Sequence, residues 1–454
     1  MPPRPFPVSA PDAAWLRMEE PTNPMTISGV LGFKAPLSME QLEAFAGERL
    51  AHFDRFRMRI DGLGTSRPRW VPDEDFDLRH HLFEVDLPEP GGQEGLEALV
   101  SDLMSRPLSF AHSPWTFHLV HGIVNEEGVA GSAIIGRLHH VIGDGIALMH
   151  VLIHAVDEYL DRVETAARPR GPRRPVRQRV AATLKGAGHE ALDLVTRPSH
   201  LGQRLSAVGA GAKAIGHLLA MRPDSDTVFK SPATPVKRAA WTAPLDLERI
   251  KAIGAGMDAK VNDVLMSAAG GALRRYLLDL GEPVEGVEVR AAAPFNVRPL
   301  ERAHELGNSF GLVFVELPVG ESTARARLDA TKQRMDAVKR SAEPAIVFAI
   351  LQSIGRAPLW VHQQVVKMFS EKATAVLTNV PGPQEPLHIE GVPIDTIMFW
   401  VPQAGDIGLG ISIISLDGSV RVGITSDAST VDDPARLAAA FVAEVDALEA
   451  EFVG

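Results

Sequence analysis

His139-His140-Val141-Ile142-Gly143-Asp144-Gly145 is the stretch whose reading decides the fold. Ahead of it, Ser132-Ala-Ile-Ile-Gly-Arg-Leu138 reads as a short buried strand, and behind it Ile146, Leu148, Met149, Leu152, Ile153 and Val156 recur at helical spacing. The two histidines therefore stand where a strand gives way to a loop and then a helix. An imidazole titrates near ~6.5, so it accepts a proton at neutral pH. Neighbouring residues on extended chain point to opposite sides, so one of the two rings suffices for a cleft. Asp144 has two structural roles open to it: cap of the following helix, and partner of a distant arginine that shapes the loop. Neither requires it to touch His140 in the manner of a triad.

Working outward, the 454 residues are two to three times the ~150-residue domain mode, so two domains are expected. A hydrophobic share of 45% against 23% charged residues supports a large core and excludes a disordered chain. With no cysteine, disulfides, thiolate metal sites and cysteine nucleophiles are excluded together. The start, Met1-Pro-Pro-Arg-Pro-Phe-Pro7, has no apolar core of a secretory signal, and no run approaches the ~20 apolar residues of a membrane span. The expectation is a cytoplasmic protein.

Residues 1–165 read as a first α/β unit, with helices at Met39–Phe53 and up to Met104 and a strand at Thr116–Val124. Residues 166–226 form a basic Pro/Gly-rich linker with helical potential, and 227–454 a second α/β unit of strands and helices. The net charge is −11, yet Thr165–Arg222 holds eleven Lys and Arg against Glu190 and Asp193, a local +9 that leaves −20 elsewhere. That asymmetry speaks against a nucleic-acid binder. The basic stretch is either a solvated tether or a patch for anionic lipid. Between Glu343 and Glu371 the chain has no acidic residue, and Ala345–Leu351 and Ala357–Val361 are strongly apolar. Two helices broken at Pro358 fit, buried in the core or resting on lipid.

Competing chemistries fail on context. His150 and His154 share a helix face, but Val151 follows His150 where a zinc-protease motif needs glutamate, so no metal site is expected. Gly307-Asn-Ser-Phe-Gly311 matches a nucleophile elbow, which needs a strand before and a helix after. The alternating Leu312-Val-Phe-Val-Glu-Leu317 follows instead, and rejects it.

His139 to Gly145 is the HHxxxDG pattern of acyl-CoA-dependent acyltransferases. Combined with Asn262-Asp263, Pro294-Phe-Asn-Val-Arg298, Gly307-Asn308, Thr378-Asn-Val-Pro-Gly-Pro383 and Asp12-Ala-Ala-Trp-Leu-Arg-Met18 followed by Pro21-Thr-Asn-Pro-Met25, the chain resembles bacterial wax ester synthase/diacylglycerol acyltransferases over nearly its whole length. Ser113-Pro114-Trp115 departs from the usual Pro-Leu-Trp, and Thr378 stands where serine is common. The resemblance implies an α/β fold of two chloramphenicol-acetyltransferase-like domains with mixed sheets and the His motif at their interface. It implies His140 as the base, with His139 and Asp144 around it. Asn262 would help hold the reacting carbonyl, although asparagine also suits a helix N-cap. Gly145, Trp115, Asn308, Thr378 and Asn379 are the further candidates for substrate contact, Trp115 being equally at home in a strand core.

What the resemblance implies for partners is fatty acyl-CoA as co-substrate, no other cofactor, and diacylglycerol or a long-chain alcohol as acceptor, giving triacylglycerol or wax ester. The place of work is then the inner membrane or a lipid-droplet surface, held peripherally. Rival readings are a condensation-type enzyme using carrier-bound acyl groups and a non-catalytic lipid-binding protein.

Overall fold

A computed structural model describes residues 3–65, 67–88, 91–124, 130–159, 220–298, 306–341, 343–355 and 357–453. The basic linker expected at 166–226 lies outside them up to residue 219. Three sheets organise the rest. A small antiparallel sheet joins β1 (Phe6–Pro7), β4 (Arg69–Pro72) and β3 (Met58–Asp61). A six-stranded sheet runs β13 (His388–Ile389), β14 (Val392–Trp400), β2 (Thr26–Phe33), β7 (Ala130–His139), β6 (Trp115–Val124), β5 (Leu82–Asp86). A seven-stranded sheet runs β11 (Phe310–Leu317), β10 (Val289–Asn296), β12 (Ala375–Val380), β15 (Leu409–Leu416), β16 (Ser419–Asp427), β8 (Lys237–Trp241), with β9 (Leu245–Asp246) also on β16. Both larger sheets mix parallel and antiparallel pairs, and each carries helices over its own core.

The long central strands are apolar on both faces because both faces are covered. β15, Leu-Gly-Ile-Ser-Ile-Ile-Ser-Leu, is buried at all but one position. Helices begin where a short polar side chain takes up free backbone N–H groups: Ser9 for Ala10–Met18, Thr323 for Ala324–Lys339, Asp433 for Pro434–Phe452. Among the described residues no helix is long and apolar enough to cross a membrane.

A cut at residue 227 does not separate the two sheets. β14 comes from the second half of the sequence yet pairs with β2 of the first, Trp400 opposite Ser28 and Met398 opposite Val30. Backbone pairing is decided by which edge is open, not by chain distance, and β2 would otherwise present an unpaired edge. The reverse traffic occurs at β8. Its N–H groups are taken by the helix Gln93–Met104: Ala239 donates to Ser101 Oγ at 2.9 Å, Trp241 to Glu97 Oε1 at 3.1 Å, and Lys237 to Ser105 Oγ at 2.9 Å. Each half thus closes an edge of the other.

The expected helix Met39–Phe53 is shorter, an α-helix to Ala44 that widens into π-turns and ends at Leu50. Expressed separately, fragments 1–226 and 227–454 should each aggregate or melt without cooperativity, because each leaves a long strand edge bare. A cooperative calorimetric transition in either fragment alone would contradict the exchange of strands.

Candidate active site

Strand β7 ends at His139, and the loop Val141–Asp144 turns into the helix Gly145–Ala155. Asp144 fills both structural roles open to it. Its Oδ1 accepts from Ala147 N at 2.9 Å, capping the helix. Its Oδ2 takes Arg298 Nη2 at 2.6 Å and Ser309 N at 2.9 Å, an ion pair buried on both sides. Arg298 and Ser309 belong to the second half, so this pair pins the His loop to the partner domain. Burial raises the Asp144 proton affinity, while Arg298 and the two backbone donors oppose it.

A second clamp holds the backbone. Asp12, wholly buried, accepts from Asn308 N and Nδ2, both at 2.8 Å, and pairs with Arg55 Nη2 at 3.1 Å. The same Asn308 Nδ2 donates to His140 O at 2.8 Å, and Arg55 Nη1 donates to Val141 O at 2.7 Å and Ile142 O at 3.0 Å. Three carbonyls of the loop are therefore met by donors from outside it. Gly307 holds φ 116°, a conformation open to glycine and strained for other residues, and its carbonyl accepts from Asp144 N at 3.4 Å. The Gly307–Gly311 stretch is a bracket for the His loop and leads into a strand, as its context required.

Within this frame the His140 ring stacks on Trp15, centroids 4.2 Å apart and planes 9° from parallel, with Phe310 at 5.8 Å. His140 keeps 4% of its surface exposed. The site is thus far more closed than an open channel, with one flank walled by the helix Ala10–Met18. Burial pushes its pKa down to about 4, with the positive potential of His139 adding to this and its own backbone, the Asn308 side chain and Asp12 working the other way. Its Nδ1 has no hydrogen-bond partner among the described residues. Among the described residues no carboxylate bonds to the ring, so the ring has no triad partner. His139 is fully buried and structural: its Nδ1 accepts from Val141 N at 3.0 Å, which leaves the proton on Nε2, 3.4 Å from Glu19.

An apolar cavity adjoins the same loop, with Gly145 in its lining. Gly145 and Val380 form one wall, Ile27 and Leu138 another, Leu148 and Leu152 a third. Next to Val380, Asn379 Nδ2 donates to Asn262 Oδ1 at 3.0 Å, so these two candidates are joined.

Two readings left open by the sequence are narrowed. Asn262 is not the helix N-cap: the helix Val261–Asp279 is capped at Lys260, whose N donates to Asp263 Oδ2 at 3.0 Å. Trp115 belongs to the core, its Nε1 donating to Phe56 O at 3.0 Å and its ring stacked on His81 at 4.2 Å. Thr378 is buried on β12 opposite Ser412. Asp12, Trp15 and Arg55 are site residues that spacing alone did not reveal. The one signal available was the buried-type pattern Asp12-Ala-Ala-Trp15 ahead of Pro21.

The sign of the His140 shift has a kinetic consequence. A base works only when unprotonated, and this ring stays neutral until pH falls towards about 4. The acid limb of kcat/KM should therefore lie well below the ~6.5 of a free imidazole. A profile that halves near 6.5 would contradict the burial argument.

Comparison with known proteins places this geometry. Residues 8–265 match the model of the wax ester synthase/diacylglycerol acyltransferase catalytic domain, and residues 306–449 that of its C-terminal domain. A Mycobacterium tuberculosis protein named "Probable diacyglycerol O-acyltransferase tgs1" is 25% identical over 448 residues, covering 94% of this chain and 92% of that one. The solved wax ester synthase/diacylglycerol acyltransferase of Marinobacter aquaeolei VT8 superposes with a TM-score of 0.70 at 21% identity, covering 99% and 100%. The first condensation domain of the CDA synthetase shares the fold at TM-score 0.60 and 15% identity, covering 100% and 97%. With both family models spanning most of its length, the chain belongs to the wax ester synthase/diacylglycerol acyltransferase family and is an acyltransferase of the two-domain chloramphenicol-acetyltransferase-like fold.

Proposed function

We propose that the protein transfers a fatty acyl group from acyl-CoA to the hydroxyl of diacylglycerol, of a long-chain alcohol, or of both. The observation that carries this reading is a neutral, desolvated imidazole on a loop whose far end, at Gly145, lines an apolar cavity. His140 takes the hydroxyl proton as the alcohol oxygen bonds to the thioester carbon. The carbonyl electrons move onto oxygen, where Asn262 and its Asn379 partner offer amide dipoles. Collapse re-forms the carbonyl, breaks the C–S bond and releases CoA thiolate, which the imidazolium proton neutralises. Asp144 takes no part in proton transfer and holds the loop.

General-base assistance is worth about 10²–10⁴ and one oxyanion donor about 10²–10³. Holding both reactants in a dry site supplies the balance. His140→Ala should lower CoA release with palmitoyl-CoA and diolein by at least a hundredfold. Retention of more than a tenth of the rate would remove His140 from the role. Transfer is direct: with no cysteine in the chain and no serine in an elbow, acyl-CoA alone should leave the protein mass unchanged, and a persistent acyl adduct would refute it. Turnover of free acyl-CoA also separates this reading from a condensation-type enzyme that needs a carrier. A lipid-binding protein without catalysis would release no CoA at all.

Lipid substrates call for seating on a lipid surface, and we assign that contact to the helices Glu343–Ile354 and Leu359–Ser370. Leu359 and Trp360 are 54% and 69% exposed at their junction, on a stretch with no acid between Glu343 and Glu371. The pair is tied to the helix that walls His140, since Arg17 Nη1 donates to Ala357 O at 2.6 Å and His362 Nε2 meets Ala14 O at 3.1 Å. Peripheral seating on the cytoplasmic membrane face or on lipid droplets follows. Trp360→Ser with Leu359→Ser should weaken co-sedimentation with phosphatidylglycerol vesicles several-fold. Unchanged binding would move the lipid contact elsewhere.

A further inference from the structure

The six-stranded sheet turns one face to the apolar cavity and the other to the second domain. On that second face Trp400, Ser28, Arg137 and Thr116 stand side by side, register partners on β14, β2, β7 and β6. All four bury a polar atom that has no hydrogen-bond partner among the described residues: Trp400 Nε1, Ser28 Oγ, Arg137 Nε and Thr116 Oγ1. His118 Nε2, one pleat along from Thr116, is a fifth. The second domain meets this row closely, since a Cβ on Gly423 of β16 would lie 2.7 Å from Trp400 Nε1. Ser412 Oγ, on the strand position paired with Gly423, is also unpartnered.

Arg137 sets the chemistry. It is 5% exposed, and among the described residues its one hydrogen bond goes to the backbone oxygen of Arg106. The acids that face it, Asp102 and Glu19, act only through space, and Asp102 is bonded to Arg106 at 2.6 Å. Burial pushes the guanidinium down to about 10, and its charge helps hold His118 neutral at about 4. A buried cation and several unpaired donors cost free energy unless something accepts from them. One cation among neutral donors suits uncharged carbonyl oxygens better than a buried phosphate, whose charge would remain uncompensated. Arg137 lies three residues, about 10 Å of strand, before His140. An arginine side chain and an acceptor with carbonyls a few bonds from its hydroxyl can bridge that interval.

We propose that this row, centred on Arg137, is a subsite for the ester carbonyls of a glycerol-diester acceptor and so sets a preference for such acceptors over carbonyl-free alcohols. The proposal rests on the acyltransferase reading above. Arg137 is a binding residue here and does not touch the reacting atoms.

The test compares 1,2-dioleoylglycerol with its diether analogue, which keeps the hydroxyl and chains and lacks both carbonyls, at fixed palmitoyl-CoA. The full-length protein should favour the diester in kcat/KM by about tenfold or more, the scale of a hydrogen bond to a charged group. Arg137→Met should bring the ratio near one by raising the diester KM, with the palmitoyl-CoA KM unchanged, and Arg137→Lys should restore part of it. Should Arg137→Met fail to fold, Ser28→Ala and Thr116→Val keep the core volume and should lower the same ratio. Equal use of diester and diether by the native protein overturns the proposal, as does a ratio untouched by these variants. A parallel loss on both acceptors with a raised palmitoyl-CoA KM also overturns it, because the row then serves the thioester arm. Turnover of hexadecanol with neither glyceride sinks the subsite and leaves the acyltransferase intact. No CoA release with any alcohol sinks both.

Discussion

Asp144 and Arg298 meet at 2.6 Å in a place that water does not reach. One comes from the loop after β7, the other from the segment after β10, so the contact exists only when the two halves are together. Taking two charges out of water is expensive, and a buried pair is maintained only with good geometry and further hydrogen bonds. Here Asp144 has two backbone donors as well, Ala147 and Ser309, and Arg298 also reaches the Gly307 carbonyl. The loop that carries His140 is thereby set by the partner domain. Asp12, Arg55 and Asn308 complete the frame by taking up its carbonyls. The imidazole is positioned through its backbone, and its ring stays free of carboxylates.

That arrangement explains why the His140 ring is neutral. A triad would place an anion against the ring and raise its proton affinity. In this site Trp15 and Phe310 pack against the ring instead, and desolvation dominates. The lipid-derived reactants of the proposed transfer would bring little polar surface to be desolvated on entry. The sheet then divides the labour, with an apolar cavity on one face and a row of unpaired donors on the other.

The strand–loop–helix around His139 to Gly145 was legible because each part has a local signal: an apolar run, a Gly-Asp-Gly loop and 3.6-residue spacing. Asp144 was legible in both its roles for the same reason. The strand Thr26–Phe33 was not, since Thr-Ile-Ser-Gly-Val-Leu-Gly-Phe carries two glycines and no alternation, both faces being buried. The crossing of β14 into the first sheet leaves no mark in sequence, because register between strands hundreds of residues apart is settled by tertiary packing. The cap role stood open for Asn262 because asparagine favours that position, whereas Lys260 and Asp263 close the helix start. Trp15 was invisible as a site residue for a different reason: its role lies in a ring contact across 125 positions, which no local pattern encodes.

A double-mutant cycle on Asp144→Asn and Arg298→Met, read by urea unfolding of the intact chain, tests the lock between the halves most directly. Each single change should cost about 3–5 kcal/mol by leaving a buried group without its partner. The double variant should be clearly more stable than the sum of the two losses requires. Losses that simply add would mean that the two side chains do not depend on each other, and the account of how His140 is placed would be wrong.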